Sequence, residues 1–143
     1  MRQRKILYFD DEVWFAKSFI SEIEDNTGFQ VKYAAAPSDF FKEINSDCLY
    51  DLFILDIMAP ITLFTDDELK NELTDAQVRR LNDGLNVGIV FYEIIRSMDK
   101  YIETPIIFHT AKRDLPIQDK KVYYFSKPTS LGAIIKAINK FFK

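Results

Sequence analysis

The chain has 143 residues, of which 48% are hydrophobic and 29% are charged, and its net charge is −3. These values predict one soluble domain over residues 1–143 and argue against a broad basic surface for nucleic acid. One Cys and one His exclude an internal disulfide and a Cys/His zinc site. The apolar run after the basic start is too short for a signal peptide or a membrane span, so we expect a cytoplasmic protein without membrane contact.

Five short segments predict β-strands. Four of them are apolar runs whose length is typical of strands buried on both faces of a parallel sheet. These runs are 6–9, 52–55, 106–108 and 122–125. The segment 29–33 instead alternates apolar and polar residues, which predicts a half-exposed strand at the edge of the sheet.

Segments with helical periodicity separate the strands, because apolar residues recur there every three or four positions. The stripes are Ala16, Phe19, Ile20, Ile23; Phe40, Phe41, Ile44; Phe91, Ile94, Ile95, Met98; and Leu131, Ile134, Ile135, Ile138. Ser38 is placed to cap the second helix. Strands alternating with helices predict a doubly wound α/β sheet, and such sheets bind ligands beyond the carboxyl ends of their strands.

Polar residues follow the buried strands at that edge of the sheet. They are Asp10, Asp11, Asp56, Thr110 and Lys127. Carboxylates that share a site of low dielectric repel one another and favour a bound cation. An all-oxygen site with few protein ligands suits Mg²⁺, which keeps water ligands and binds phosphate. The pattern makes Asp56 a candidate nucleophile toward phosphorus, with Lys127 and Thr110 contacting phosphoryl oxygens.

Four motifs in this order resemble those of the receiver domains of two-component response regulators. They are ILYFDDE at 6–12, DLFILDIMAP at 51–60, TPIIFHTA at 104–111 and YFSKP at 124–128. The resemblance covers nearly the whole chain and implies a stand-alone receiver domain without an output domain. It also implies a flavodoxin-like (CheY-like) five-stranded parallel sheet of strand order 2-1-3-4-5.

The resemblance implies a role for each matching acidic residue. Asp56 is the implied phosphoacceptor. Asp11, Asp56 and the backbone carbonyl of Met58 would hold the Mg²⁺ ion, and Asp10 would contribute through water or hydrogen bonds. Side chains two positions beyond Asp56 and two beyond the threonine, which are Met58 and Lys112, influence the hydrolytic water in this family.

Other positions match the phosphate-contacting and switching residues of the family. Thr110 and Lys127 would contact the phosphoryl group, and Tyr124 would move when Thr110 shifts. An aromatic residue in a strand is also compatible with a purely structural role, so both readings of Tyr124 stay open. The Lys127–Pro128 peptide is a candidate for the cis form, which is accessible only before proline.

The resemblance implies a phosphoacceptor of a two-component or phosphorelay system, whose Mg²⁺-dependent phosphorylation on Asp56 switches protein contacts. A histidine kinase or phosphotransfer protein would supply the phosphoryl group, and an unidentified protein would receive the signal. No enzymatic activity is expected beyond its own phosphorylation and dephosphorylation. An alternative is a receiver-fold interaction module that works without phosphorylation. A hydrolase of the haloacid-dehalogenase type is disfavoured, because Met58 stands where that class has a second aspartate.

Two segments depart from the family pattern. The first is an insertion at about 61–87, before the glycine match at Gly88, where TDDE at 65–68 and TDAQ at 74–77 predict capping boxes. Its apolar residues Leu69, Leu73, Val78 and Leu81 predict short docked helices, the alternative being a mobile acidic loop. The second is 111–121, whose few apolar residues and Pro116 predict a fourth helix that is reduced or lost.

Three of the polar residues also have explanations that involve no chemistry. Asp10 and Asp11 alone would serve as an N-terminal cap pair for the first helix. His109 precedes Thr110, and because strand side chains alternate, it should point away from the phosphate site. We therefore expect a structural role for His109 and not a role as metal ligand or second acceptor.

Overall fold

The computed structural model describes residues 3–111, 117–128 and 131–142. Its strands are β1 (Lys5–Phe9), β2 (Gln30–Ala34), β3 (Leu52–Leu55), β4 (Ile106–Thr110) and β5 (Val122–Ser126). All neighbouring strands pair in parallel, in the order β2-β1-β3-β4-β5. This confirms the predicted flavodoxin-like sheet, with β2 at one edge and the fully buried β3 at its centre.

In the described part of the chain, six α-helices connect or follow the strands. They are α1 (Val13–Thr27), α2 (Pro37–Ile44), α3 (Asp66–Asn71), α4 (Asp75–Arg80), α5 (Val87–Ser97) and α6 (Leu131–Phe141). Short 3-10 turns lie at Ile61–Leu63, Asn82–Gly84 and Asp99–Tyr101. Among the described residues, no helix combines the length and the apolar character needed to cross a membrane.

Two apolar cores lie on opposite faces of the sheet, because successive strand residues point in opposite directions. Leu7 and Phe9 of β1 pack with residues of α2 and α5, whereas Ile6 and Tyr8 pack with residues of α1 and α6. The helical stripes read from the sequence supply the facing residues. Burying each such side chain contributes about 1.5–3 kcal/mol, so the two cores hold the strand ends in fixed positions.

Helix α2 begins earlier than the capping prediction requires. Ala36 is its N-cap in extended conformation, and the structure shows no side-chain cap there. Pro37 occupies the first turn, where its missing N–H costs nothing and its fixed φ suits a helix. Ser38 consequently lies inside the helix, and the prediction that it caps α2 is wrong.

The insertion folds into α3 and α4, which confirms the prediction of short helices. The Thr65 hydroxyl accepts from Glu68 N at 3.1 Å and the Glu68 carboxylate accepts from Thr65 N at 2.8 Å. The Thr74–Gln77 pair repeats this reciprocal capping box. Leu73 and Leu81 are buried in the core on the α5 side, while Leu69 and Val78 pack against it partly buried. The helices are thus docked and are not a mobile loop.

The segment between β4 and β5 is tied to α5 by polar contacts. Residues 112–116, which include Lys112 and Pro116, lie outside the described residues, and 117–121 contains no helix. Arg96 donates to Asp119 at 2.9 Å and to the carbonyl oxygens of Tyr101 and Thr104. In the part that the structure describes, the contact between Arg96 and Asp119 joins this segment to α5.

Candidate functional site

The polar residues predicted from the sequence meet at the carboxyl edge of the sheet. Asp10 follows β1, Asp56 follows β3 and Thr110 ends β4. The Asp56 amide donates to the carbonyl of Phe9 at 3.0 Å, and the Lys127 amide donates to the carbonyl of Thr110 at 2.8 Å. Parallel pairing therefore continues one residue past the strands and fixes where these side chains emerge.

Three carboxylates form a compact acidic group. Asp10, Asp11 and Asp56 each offer an oxygen within 4.8 Å of the others, and Asp10 and Asp56 are 0% and 5% exposed. Burial raises the pKa of Asp56, and the charge of Asp10 raises it further. Burial and the charge of Asp10 likewise raise the pKa of Asp11. The group offers only oxygen donors, and its ionised form is disfavoured until a positive charge balances it. Such a site fits a hard divalent cation.

Lys127 supplies the positive charge at the centre of this group. Its Nζ donates to Asp10 Oδ2 at 2.8 Å, to Glu12 Oε1 at 3.0 Å and to Asp56 Oδ2 at 3.0 Å. Burial alone would lower the pKa of Lys127, but the hydrogen bond to Asp10 and the charges of Asp56 and Asp10 outweigh it and raise that pKa. The ammonium therefore stays charged.

The contact of Lys127 with Glu12 was not assigned from the sequence. Glu12 was visible only as the third member of the acidic run after β1. Which acid faces the lysine depends on how the chain turns into α1, and no local pattern encodes that turn.

Asp10 is held by the protein on both carboxylate oxygens. Oδ2 accepts from the Tyr8 hydroxyl at 3.0 Å and from Lys127, and Oδ1 accepts from the Glu12 amide at 2.9 Å. The Tyr33 hydroxyl donates to the Asp10 carbonyl at 2.6 Å. Sequence reasoning missed both tyrosines, although a hydroxyl two residues before a buried acid was a visible signal. These contacts suit an anchoring role for Asp10 beside the more open Asp11.

An open cleft of about 340 Å³ lies in front of the acidic group. We call it the acidic cleft; its lining includes Asp11, Asp56, Met58 and Lys127. The Met58 amide donates to Asp56 Oδ1 at 3.1 Å, so the two oxygens of Asp56 face different donors. The insertion also reaches this cleft through Asp83, Gly84 and Leu85.

Two glycines let the insertion return closely to the Asp56 loop. Gly84 has φ +93°, and a Cβ there would lie 2.2 Å from the Ala59 carbonyl oxygen. A Cβ on Gly88 would lie 2.3 Å from the Asp56 carbonyl oxygen. Gly88, matched to the family glycine from the sequence, therefore allows α5 to start directly against Asp56.

No protein-family model matches the sequence, and no curated protein matches it. Solved structures do match. A response regulator receiver domain protein from Bacillus halodurans superposes with a TM-score of 0.65 at 15% identity, covering 99% of this chain and 98% of that one. The Francisella response regulator 1452 receiver domain superposes with a TM-score of 0.63 at 21% identity, covering 99% of this chain and 100% of that one. The Vibrio cholerae chemotaxis protein CheY4 superposes with a TM-score of 0.64 at 18% identity, covering 97% of this chain and 98% of that one.

The chain has the receiver-domain fold. The resemblance carried by the four sequence motifs is thereby confirmed at the level of architecture. Identities this low establish the fold alone, so the roles of individual residues rest on the geometry of the site.

The receiver fold brings Thr110 to the acidic group, while Tyr124 lies two residues before the end of β5. Thr110 is fully buried, and its side-chain hydrogen bond to Asp56 favours the ionised carboxylate. Tyr124 lies beside Phe108 in the β4–β5 pairing and packs, partly buried, against the core on the α5 side. The Lys127–Pro128 peptide is cis, as predicted.

His109 points to the opposite face of the receiver-fold sheet, as strand alternation predicts. Its ring stacks on Phe19 with centroids 5.3 Å apart, and neither buried ring nitrogen has a hydrogen-bond partner among the described residues. Burial, followed by the charge of Lys127, lowers the pKa of His109 to about 4. A neutral, enclosed imidazole fits the expected structural role.

Proposed function

We propose that this chain is a phosphoacceptor signalling domain of a two-component or phosphorelay system. Asp56 accepts a phosphoryl group in a Mg²⁺-dependent reaction, and protein contacts change as a result. One observation carries the proposal: Lys127 Nζ bridges Asp10, Glu12 and Asp56 at the carboxyl edge of a receiver fold. A buried carboxylate that has a fixed cation beside it and opens on a cleft is arranged to accept a phosphoryl group.

The metal proposal rests on the donor set. Asp11, Asp56 and the backbone carbonyl of Met58 would hold Mg²⁺, with Asp10 contributing from behind through water or hydrogen bonds. When bound, Mg²⁺ neutralises carboxylate charge and stabilises charge on phosphoryl oxygens. Support comes from the three carboxylate oxygens within 4.8 Å and from the raised pKa values of Asp11 and Asp56, which reflect burial and mutual repulsion.

Asp56 is the nucleophile in this proposal. One carboxylate oxygen forms a bond to phosphorus, the bond from phosphorus to the donor's leaving group breaks, and the leaving group departs with the electron pair. The Met58 amide donates to one carboxylate oxygen of Asp56 and Lys127 donates to the other, which fixes the orientation of the carboxylate. Lys127 and Thr110 then contact phosphoryl oxygens, since the side chains of both already contact the Asp56 carboxylate. Tyr124 would transmit the rearrangement of Thr110.

The donor in this proposal is a histidine kinase or a phosphotransfer protein, and the receiver of the signal is another protein. The domain catalyses only its own phosphorylation and dephosphorylation. A second candidate function is an interaction module that works without phosphorylation. It is favoured by the insertion at the cleft and by the absence of helix in 117–121, both of which alter surfaces beside the site.

Incubation with acetyl phosphate and Mg²⁺, read by intact mass, separates the two functions. We expect one added phosphoryl group in the wild type, none in Asp56→Ala and none with excess chelator. Asp47→Ala, which removes an exposed aspartate away from the cleft, is the matched control and should label normally. Labelling that persists in Asp56→Ala would overturn the assignment, and absence of labelling in the wild type would favour the interaction module.

A further inference from the structure

The insertion builds one side of the acidic cleft. Asp83, Gly84 and Leu85, which we call the cleft wall, line the same cavity as Asp56 and Lys127. Besides docking on the core through Leu73 and Leu81, the insertion therefore contributes to the cleft. A segment at this place borders the space in front of the proposed phosphoacceptor.

Backbone contacts fix the cleft wall to the Asp56 loop. The Ala59 amide donates to the Gly84 carbonyl at 2.9 Å, and the Gly88 amide donates to the Ile57 carbonyl at 2.9 Å. On the insertion side, Leu81 and Val87 are both fully buried and anchor the wall at its two ends. The wall is therefore held from both directions and does not hang as a free loop.

Leu85 is the apolar side chain that the insertion contributes to the acidic cleft. Its side chain is 47% exposed, whereas Asp11, Asp56 and Lys127 supply charge to the same cleft. A leucine side chain has no atom that can donate or accept a hydrogen bond, so the side chain can neither hold nor activate water. Beside the charged residues of the cleft, this apolar side chain takes up space without offering water a hydrogen bond.

We propose that Leu85 sets the lifetime of the phosphoryl group on Asp56 by limiting the access of water. The inference rests on the proposed function. In hydrolysis, the water oxygen bonds to phosphorus, and the bond between phosphorus and the Asp56 oxygen breaks. Asp56 leaves as the carboxylate, and the water protons pass to the released phosphate and solvent. Leu85 narrows the approach to phosphorus and so slows this step.

The test compares the decay of the phosphorylated state in Leu85→Ala and in Leu49→Ala. Leu49 is also 47% exposed but lies away from the acidic cleft, so both variants lose a leucine of equal exposure. After labelling with acetyl phosphate and removal of the donor, intact mass follows the decay. We expect Leu85→Ala to decay about three- to tenfold faster than the wild type, and Leu49→Ala to decay at the wild-type rate.

Leu85→Met separates shielding from general loosening of the wall. It keeps an apolar side chain of similar length, so shielding predicts wild-type decay. Equal decay in Leu85→Ala and the wild type would overturn this inference alone and leave Asp56 phosphorylation standing. Equal acceleration in Leu49→Ala and Leu85→Ala, or fast decay in Leu85→Met, would also overturn it. Absence of labelling in the wild type would overturn the proposed function and this inference together.

Discussion

Lys127 Nζ lies 3.0 Å from Asp56 Oδ2 although the two residues are 71 positions apart in the chain. The contact joins the ends of β3 and β5, which are separated in the sheet by β4. From the end of β5, the partly buried Lys127 reaches across the end of β4 and contacts Asp10 and Asp56 at once. This relationship links the fold to the proposed chemistry, because the same charge that balances two buried acids would contact an incoming phosphoryl group.

Replacing this lysine should destabilise the protein. Lys127→Met leaves Asp10 and Asp56 buried without their cation, and breaking a buried ion pair costs about 3 kcal/mol or more. Urea denaturation without divalent cations measures the free energy of unfolding. Lys136→Met, on the exposed side of α6, is the control and should change little. A second substitution, Asp56→Asn, should recover part of the loss, and strictly additive effects would contradict a direct pair.

Tyr8 offers a test of how Asp10 is anchored. Tyr8→Phe keeps the ring packed on Phe19 and removes only the hydroxyl that donates to Asp10. A hydrogen bond to a charged group contributes about 1.5–3 kcal/mol, so we expect a loss of that order in the free energy of unfolding. Tyr123→Phe is the matched control, since its hydroxyl has no hydrogen-bond partner among the described residues. Equal effects from the two substitutions would argue against the anchor.

His109 makes the stability depend on pH. Its pKa is about 4 in the folded protein against 6.5 normally, so between these values the unfolded chain binds more protons. The contribution of neutral His109 to the free energy of unfolding is therefore fully present above pH 6.5. It is lost as the pH falls toward 4, which lowers the free energy of unfolding by about 3 kcal/mol in all. His109→Phe should remove this loss and stay packed on Phe19. Denaturation curves for both proteins from pH 4 to 7 check this; parallel pH profiles would refute it.

Met58 bears on dephosphorylation through water. Its thioether accepts hydrogen bonds weakly, whereas an amide can orient water beside Asp56. Met58→Asn should accelerate loss of the phosphoryl group about tenfold, measured by intact mass after removal of the donor. An unchanged decay rate would mean that Met58 does not limit the placement of water. Lys112, the other residue that the family resemblance implicates, lies outside the described residues.

The insertion should behave as ordered structure in solution. Its helices are capped at Thr65 and Thr74, and Leu73 and Leu81, which follow the two helices, are buried. Hydrogen exchange across 66–82 should therefore show protection, strongest around the buried Leu81. The same measurement on a peptide of this sequence should show none, because short helices need tertiary packing. Exchange at the random-coil rate within the protein would contradict docking.

Much of the fold could be read from local patterns. Strand β3 was predicted from an unbroken apolar run and β2 from alternation, because burial on two faces or one face dictates which residues a strand tolerates. The capping boxes at Thr65 and Thr74 were equally visible, since their partners lie three residues away. Ser38 is not the cap of α2, because the helix already begins at Pro37 and Ser38 lies inside it.

The site was predicted only where a residue follows directly from a strand end. Asp56, Thr110 and Lys127 meet because the sheet brings its strand ends together. The contacts of Tyr33 with Asp10 and of Glu12 with Lys127 depend on side-chain direction across two or three elements. The cleft wall depends on how the insertion returns from Leu81 to Gly88. No local pattern encodes these long-range contacts, so the sequence alone could not predict them.

The central claim is that Asp56 carries the phosphoryl group. Borohydride reduces an acyl phosphate and converts that aspartate to homoserine, which peptide sequencing by mass spectrometry locates. After treatment with acetyl phosphate and Mg²⁺, the account predicts homoserine at position 56 and at no other aspartate. Homoserine at Asp10 or Asp11, or none at any position after the same treatment, would contradict it.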